Sequence, residues 1–317
     1  MELRQLEYFL ALVDTGSFTR AAARSHVVQS TLSASVQSLE TDLGARLVVR
    51  STRSVTLTDA GRALVPEARR VLIAVRAARD AISEVAGGTR GTLRIGIMHS
   101  LPGLNLAALL SRFHAERPLV VIEPHTHPNG SAGLVADVAG DRLDVALAAA
   151  PAATGAVTIT PLTHEPIRLA CPPGYEHASR PCVPLPELAG RPFIDVPPGW
   201  GSRDSVDRLF AQEGLSRDLI ITVADVATVL QLVRAGLGYA LVAPSSAPAH
   251  EQRHLVQVCP TATFTVSLVT PGERPLPAAA RAFVELVKRR ASLLIHEAAA
   301  AGPVGQEAAG RPAPRPA

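Results

Sequence analysis

The sequence predicts a small, mostly helical N-terminal domain of winged helix-turn-helix order, then one long linker helix, then an α/β body of two lobes. Three observations predict it. Apolar residues near the N-terminus recur at helical spacing and are followed by two short β-prone runs. Residues 64–85 carry a heptad seam, and from Gly91 onward short apolar strands alternate with amphipathic helices. With 317 residues, 47% hydrophobic and 19% charged, the chain can build two or three domains with cores of their own and is not generally disordered.

The first helix is set by Leu3, Leu6, Phe9, Leu10 and Val13 and ends at Thr15-Gly16. Ser17 is a suitable N-cap for a short second helix, whose small Ala22 and Ala23 permit a tight helix crossing. A third helix runs from about Gln29 to Leu43, with Leu32, Val36, Leu39 and Leu43 inward. Its other face carries Gln29, Ser30, Thr31, Ser33, Ser35, Gln37 and Ser38, short donors and acceptors that suit a helix entering a major groove. Residues 46–50 and 54–57 are β-prone around the polar tip 51–53, a wing flanked by Arg50 and Arg53. Guanidinium groups there can grip phosphates or enter a minor groove. We place the candidate DNA contacts at Ser17, Thr19, Gln29, Ser30, Thr31, Ser33, Ser35, Arg50 and Arg53.

Thr58 and Asp59 offer cap chemistry for a long helix reaching Gly87-Gly88, with a kink or a late start expected at Pro66. Leu64, Ala68, Val71, Val75, Ala78, Ile82 and Val85 follow alternating spacings of four and three. This seam either pairs two chains or packs on the chain's own body. Pairing would put two heads on a two-fold axis, as palindromic half-sites require. The charge is divided along the chain. Residues 1–90 hold 12 Arg against 9 acidic residues, which is the whole of the net +3, and Arg20 to Arg79 hold 10 Arg against 4 acids. That segment is either a nucleic-acid-binding head or a solvated charge run.

The order RQLEYFLALVDTGSFTRAAARSHVVQSTLSASVQSLETDLGARLVVRSTRSVTLTDAG resembles the N-terminal domain of LysR-type transcriptional regulators. The resemblance implies that Gln29 to Ser33 belong to the recognition helix, that Leu39-Glu40 is the family's Leu-Glu pair and that Arg50 is its wing arginine. Val48 stands where the family often has Phe, and Ala34 where it often has Arg, so one common DNA-contacting cation is missing.

In the body, strands are expected at 92–98, 119–123, 144–149, 168–171, 193–196, 220–223, 239–242 and 263–270. Helices are expected at 101–116, 131–139, 202–213, 226–235 and 277–299. The expected domains are 1–58, the linker 59–88, a body over 91–299 and a disordered tail over 300–317. Lobe I takes about 91–163 and 268–299, and lobe II about 164–267. The body resembles the effector-binding domain of the same family, a periplasmic-binding-protein-like fold. Ligands bind beyond the C-terminal ends of such strands, where helix N-termini supply N–H groups. His99, Ser100, Thr126, Ser131, Trp200, Ser202 and Arg203 are therefore expected to line an interlobe cleft that takes an organic anion, although each serine can equally be an N-cap.

There is no phosphate-loop, dinucleotide or nucleophile-elbow motif, so no enzyme, cofactor or metal site is expected. Three scattered cysteines do not make a disulfide framework, and a reducing, cytoplasmic setting is expected without membrane insertion. The expected partners are double-stranded DNA, a small effector, further copies of the chain as a dimer or tetramer, and RNA polymerase if the regulator activates. The rival reading is a solute-binding receptor with no DNA role, which leaves the basic head unexplained.

Overall fold

The computed structural model describes residues 1–300 except 51–54, 86–88, 100, 102, 150–154 and 176–179. The expected tail over 301–317 and Arg53 lie outside the described residues. In the head, α1 (Leu3–Thr15), α2 (Phe18–Arg24) and α3 (Gln29–Leu43) surround a core of Leu6, Phe9, Leu12, Leu32, Val36 and Leu39. Each such side chain taken from water stabilises the fold by roughly 1.5–3 kcal/mol. β1 (Val48–Arg50) and β2 (Val55–Leu57) pair antiparallel, with Val48 opposite Leu57.

The linker helix α4 runs from Asp59 to Val85, about 40 Å at 1.5 Å per residue. It starts at Asp59, where the Thr58 hydroxyl accepts from the Gly61 N–H at 3.0 Å, and continues through Pro66, so the late start expected there does not occur. Leu64, Ala68 and Leu72 close the head core. Arg69, only 8% exposed, pairs with Asp14 of α1 at 2.7 Å and fixes the head to the linker. Farther along, Val71, Ala78 and Ile82 remain exposed.

Lobe I is built from β3 (Gly91–Ile97), α5 (Leu106–Glu116), β4 (Val120–His125), α6 (Gly130–Ala139) and β5 (Val145–Ala148). α5 begins five residues later than the sequence suggests because Asn105 caps it, accepting from the Ala108 N–H at 3.0 Å. The long β6 (Val157–Pro166) carries the chain toward lobe II. That lobe holds β7 (Arg168–Ala170), β8 (Val183–Pro184), β9 (Pro192–Asp195), α7 (Gly201–Gln212), β10 (Asp218–Thr222), α8 (Val226–Arg234), β11 (Ala240–Val242), α9 (Ala249–Gln252) and β12 (Val256–Cys259). Then β13 (Thr263–Pro271) returns beside β6, and α10 (Ala278–Ala300) packs on lobe I.

The lobe I sheet has the order β4-β3-β5-β13-β6, parallel at β4-β3-β5 and antiparallel where β13 joins. In lobe II the order β11-β7-β12-β8 is extended by the parallel pair β9 and β10 through hydrogen bonds between β9 and Tyr239. β6, β8 and β12 have no counterpart in the sequence reading. β6 interleaves prolines with polar residues, β8 is only two residues long and β12 only four.

Two of the three cysteines, Cys182 and Cys259, form a disulfide with Cα atoms 6.0 Å apart, although 77 residues separate them. The parallel pairing of β8 with β12 brings them together, a contact that spacing along the chain does not reveal. Cys171 remains a free thiol, which burial pushes up to about 12. No helix among the described residues is long and apolar enough to cross a membrane.

Candidate nucleic-acid interface and interlobe cleft

The head presents α3 with an open N-terminus. Val28 precedes it and offers no capping side chain, and helix N-termini of this kind favour anions such as phosphate. The Thr19 hydroxyl donates to the Gln29 side-chain oxygen at 3.0 Å, holding the start of α2 against the start of α3. Thr19, Gln29, Ser30 and Thr31 are exposed, whereas Ser33 and Ser35 are half-buried on the flank of the helix. Ser17 accepts from the Arg20 N–H as the cap of α2. Arg50 closes β1 opposite Val55, at the base of the wing tip.

Glu40 gains a physical role that its place in a Leu-Glu pair does not explain. Its carboxylate is 6% exposed and accepts from the N–H groups of Leu47 and Val48 at 2.7 and 3.2 Å. It clamps the start of β1 to α3. The linker in turn reaches the body, where Arg76 of α4 lies 3.8 Å from Asp144. Asp144 is fully buried and also accepts from the backbone and side chain of Arg94 on β3. A chain of charge-assisted contacts thus runs from the head through α4 to lobe I.

Between the lobes lies a narrow cleft with about 40 Å³ of enclosed space, room for roughly three waters. His99, Ser131, Trp200 and Ser202, all anticipated from sequence, line it. His99 follows β3 in lobe I and Trp200 precedes α7 in lobe II. Their rings stack with centroids 4.6 Å apart and planes at 18°, bridging the lobes. The Trp200 loop approaches α6 closely at Gly130, whose φ of 54° and lack of a side chain allow the contact. A Cβ there would lie 2.7 Å from the indole Cδ1. Trp200 is 8% exposed, and its Nε1–H has no partner among the described residues.

Thr126 is exposed and does not line this cleft, and Ser100 lies outside the described residues. Arg203 is a correction. Its guanidinium turns away to Asp207 at 2.6 Å and donates to the Val196 carbonyl at 3.2 Å. It forms a network with Arg217, Asp207 and Asp195. The reason is local: Asp207 is one helical turn along α7, so the pair closes within the helix. Ser131 is buried and uses its hydroxyl to accept from the Ala149 N–H at 3.1 Å.

Several lining groups were not anticipated from the sequence. His127 stands in the cleft wall, its Nδ1 accepting from the Asn129 N–H at 3.0 Å. Ile97, Ile194, Val229 and Leu241 supply an apolar lining that in sequence looks like ordinary core. Asp195 also faces the cleft. Burial raises its carboxyl above the usual range, opposed by Arg217, the Val196 N–H and Arg203. Among the described residues no group of three or more His, Cys, Asp or Glu is arranged to hold a metal ion.

A helix-turn-helix with a clamped wing, coupled through one helix to a two-lobed binding fold, defines a DNA-binding transcriptional regulator. Residues 3–62 match the bacterial regulatory helix-turn-helix protein, lysR family, and residues 86–292 match the LysR substrate binding domain. The chain belongs to the LysR family. It is 30% identical to the DNA-binding transcriptional dual regulator OxyR of Escherichia coli K12, over 92% of this chain and 96% of that protein. It is 31% identical to a hydrogen peroxide-inducible genes activator of Pectobacterium carotovorum, over 87% and 92%. Among solved structures, CbnR, a LysR family transcriptional regulator, matches with a TM-score of 0.60 at 25% identity, over 92% of this chain and 99% of that one. Full-length CbnR complexed with its target DNA matches with a TM-score of 0.50 at 27% identity, over 92% and 100%.

Proposed function

We propose that this regulator senses a small uncharged molecule with an apolar body and one hydrogen-bond acceptor, held in the interlobe cleft by the Trp200 Nε1–H. The observation that carries the reading is that donor, buried and unpartnered among the described residues, on a side chain that lines an apolar cleft. A buried donor without an acceptor costs about 1–3 kcal/mol, which a carbonyl or ether oxygen would recover. The guanidinium expected to meet an anion does not line the space, because Arg203 is committed to Asp207 and Asp195. A thiol-based response of the kind a peroxide would need finds no cysteine in the lining.

With so little enclosed space, an effector of more than a few atoms must part the His99–Trp200 stack and so change the lobe angle. That gives the two lobe arrangements different affinities for the ligand, the condition for any shift between them. The exposed Val71, Ala78 and Ile82 of α4 pair two chains, setting two α3 helices on adjacent major grooves. The chain acts on DNA in the cytoplasm, is not an enzyme, and meets RNA polymerase where it activates.

Trp200 is the only tryptophan, so its fluorescence reports on the cleft alone. Titration with a panel of neutral aromatics bearing a carbonyl, beside their carboxylate analogues, tests the reading. Neutral compounds should shift the emission and change operator affinity; in Trp200→Phe, which has no tryptophan left to report, the operator response should weaken about tenfold. A response confined to the carboxylates would overturn it.

A further inference from the structure

A second cleft lies between α7 and the crossover strands β6 and β13, and it is of opposite character. It offers about 570 Å³, against 40 Å³ in the first, and its walls are polar. The strand sequence explains why. Along β13, Phe264, Val266 and Leu268 enter the apolar cores, while the alternate Thr263, Thr265 and Ser267 present hydroxyls to the other face, opposite α7. Valine, which has the shape of threonine, would leave these walls apolar; the hydroxyls make them wettable.

Ser267 is 1% exposed, and its Oγ has no hydrogen-bond partner among the described residues. A buried hydroxyl left unpartnered at the floor of a cleft points to a ligand group that completes it. Beside it, His164 of β6 meets the Thr265 hydroxyl at 2.9 Å. From α7 come Asp204 and Arg208, four residues apart and therefore neighbours on one helix face. They do not pair with each other. Among the described residues Asp204 accepts only the Gly199 N–H, at 3.3 Å, and Arg208 is exposed with no ion-pair partner.

We propose that this second cleft binds a free α-amino acid with a small polar side chain. Asp204 takes the ammonium, Arg208 the carboxylate, and Ser267 the hydroxyl or amide of the side chain. Opposite charges one helical turn apart suit a zwitterion, whose own charges are held close together by a single carbon. A polyol would satisfy the hydroxyls and leave both charges unused. The walls include Ala149 of lobe I and Gly201 of lobe II, and the same Gly201 lines the first cleft. Occupancy of either cleft therefore bears on one lobe angle, which makes the two ligands each other's effectors by the same factor.

Calorimetric titration of the full-length protein with L-serine, L-threonine and L-glutamine tests this. N-acetyl-L-serine, which lacks the ammonium, and L-serine methyl ester, which lacks the carboxylate, serve as blocked probes. At least one free amino acid should bind, and each blocked serine should bind at least tenfold more weakly than serine itself. In Arg208→Gln, serine should fall to the level of its ester. In Asp204→Asn, which keeps the acceptor for Gly199, serine should fall to the level of the acetylated probe. Absence of binding by all three amino acids, equal binding of the blocked probes, or unchanged serine affinity in both variants would overturn the proposal.

Discussion

Removing the Glu40 carboxylate should loosen the wing. Its two acceptor contacts, at 2.7 and 3.2 Å, satisfy the N–H groups of Leu47 and Val48, residues 1% and 4% exposed. Glu40→Ala leaves both donors buried without an acceptor. At about 1–3 kcal/mol for each stranded group, the head should lose roughly 2–6 kcal/mol. The ion pair with Arg46 at 3.6 Å adds little, because Arg46 is 75% exposed and such surface pairs are worth about 0–1 kcal/mol. Glu40→Gln keeps one acceptor oxygen and exchanges charge-assisted bonds for neutral ones, so its loss should be nearer 1 kcal/mol. Denaturant unfolding measures the difference. Native-state hydrogen exchange at the Leu47 and Val48 amides localises it, and operator affinity should fall with the loss of wing order. If Glu40→Ala unfolds with the wild-type midpoint and both amides stay protected, the clamp does not hold the wing.

Other outcomes follow from single contacts. A Cβ at Gly61 would lie 2.1 Å from the Leu47 carbonyl oxygen, so Gly61→Ala should push α4 off β1 and cost about 1–3 kcal/mol; an unchanged unfolding midpoint would contradict that packing. With its thiol near 12, Cys171 should react with iodoacetamide at pH 8 roughly a thousandfold more slowly than a free cysteine, read by mass spectrometry, and labelling at the free rate would show it to be accessible. Asp225 caps α8 by accepting from the Thr228 side chain and N–H, which hold its carboxyl below the usual range. Its contribution is therefore fully present above the unfolded value of about 3.9 and lost as pH falls through the lower folded value. Asp225→Ala should cost about 1 kcal/mol at neutral pH and flatten this acid limb of the stability profile; an unaltered limb would assign it to other carboxylates.

Much of the head was legible because its signals are local. Leu32, Val36 and Leu39 at helical spacing and the paired runs of the wing each report on residues a few positions away. In the cleft, legibility was partial. His99, Ser131, Trp200 and Ser202 sit where strands end and helices begin, and that rule located them. It failed for Arg203 because a helical neighbour, Asp207, outcompetes an empty cleft for a guanidinium. It missed His127 and the aliphatic walls because a residue lining a binding space and a residue filling a core have the same pattern.

The sequence by itself determined the family's architecture, the helix bearing the exposed Gln29, Ser30 and Thr31, and the concentration of arginine in the head, since periodicity, capping and charge are written in short stretches of chain. Only the tertiary structure decided which donors remain unsatisfied. Among the described residues the Trp200 indole and the Ser267 hydroxyl lack partners because of what the other lobe, or the facing helix, does not offer. It also decided that Cys182 meets Cys259, and that Asp195 faces the interlobe cleft. These are properties of groups brought together from distant parts of the chain, and a side chain's chemistry is set by its neighbours in space.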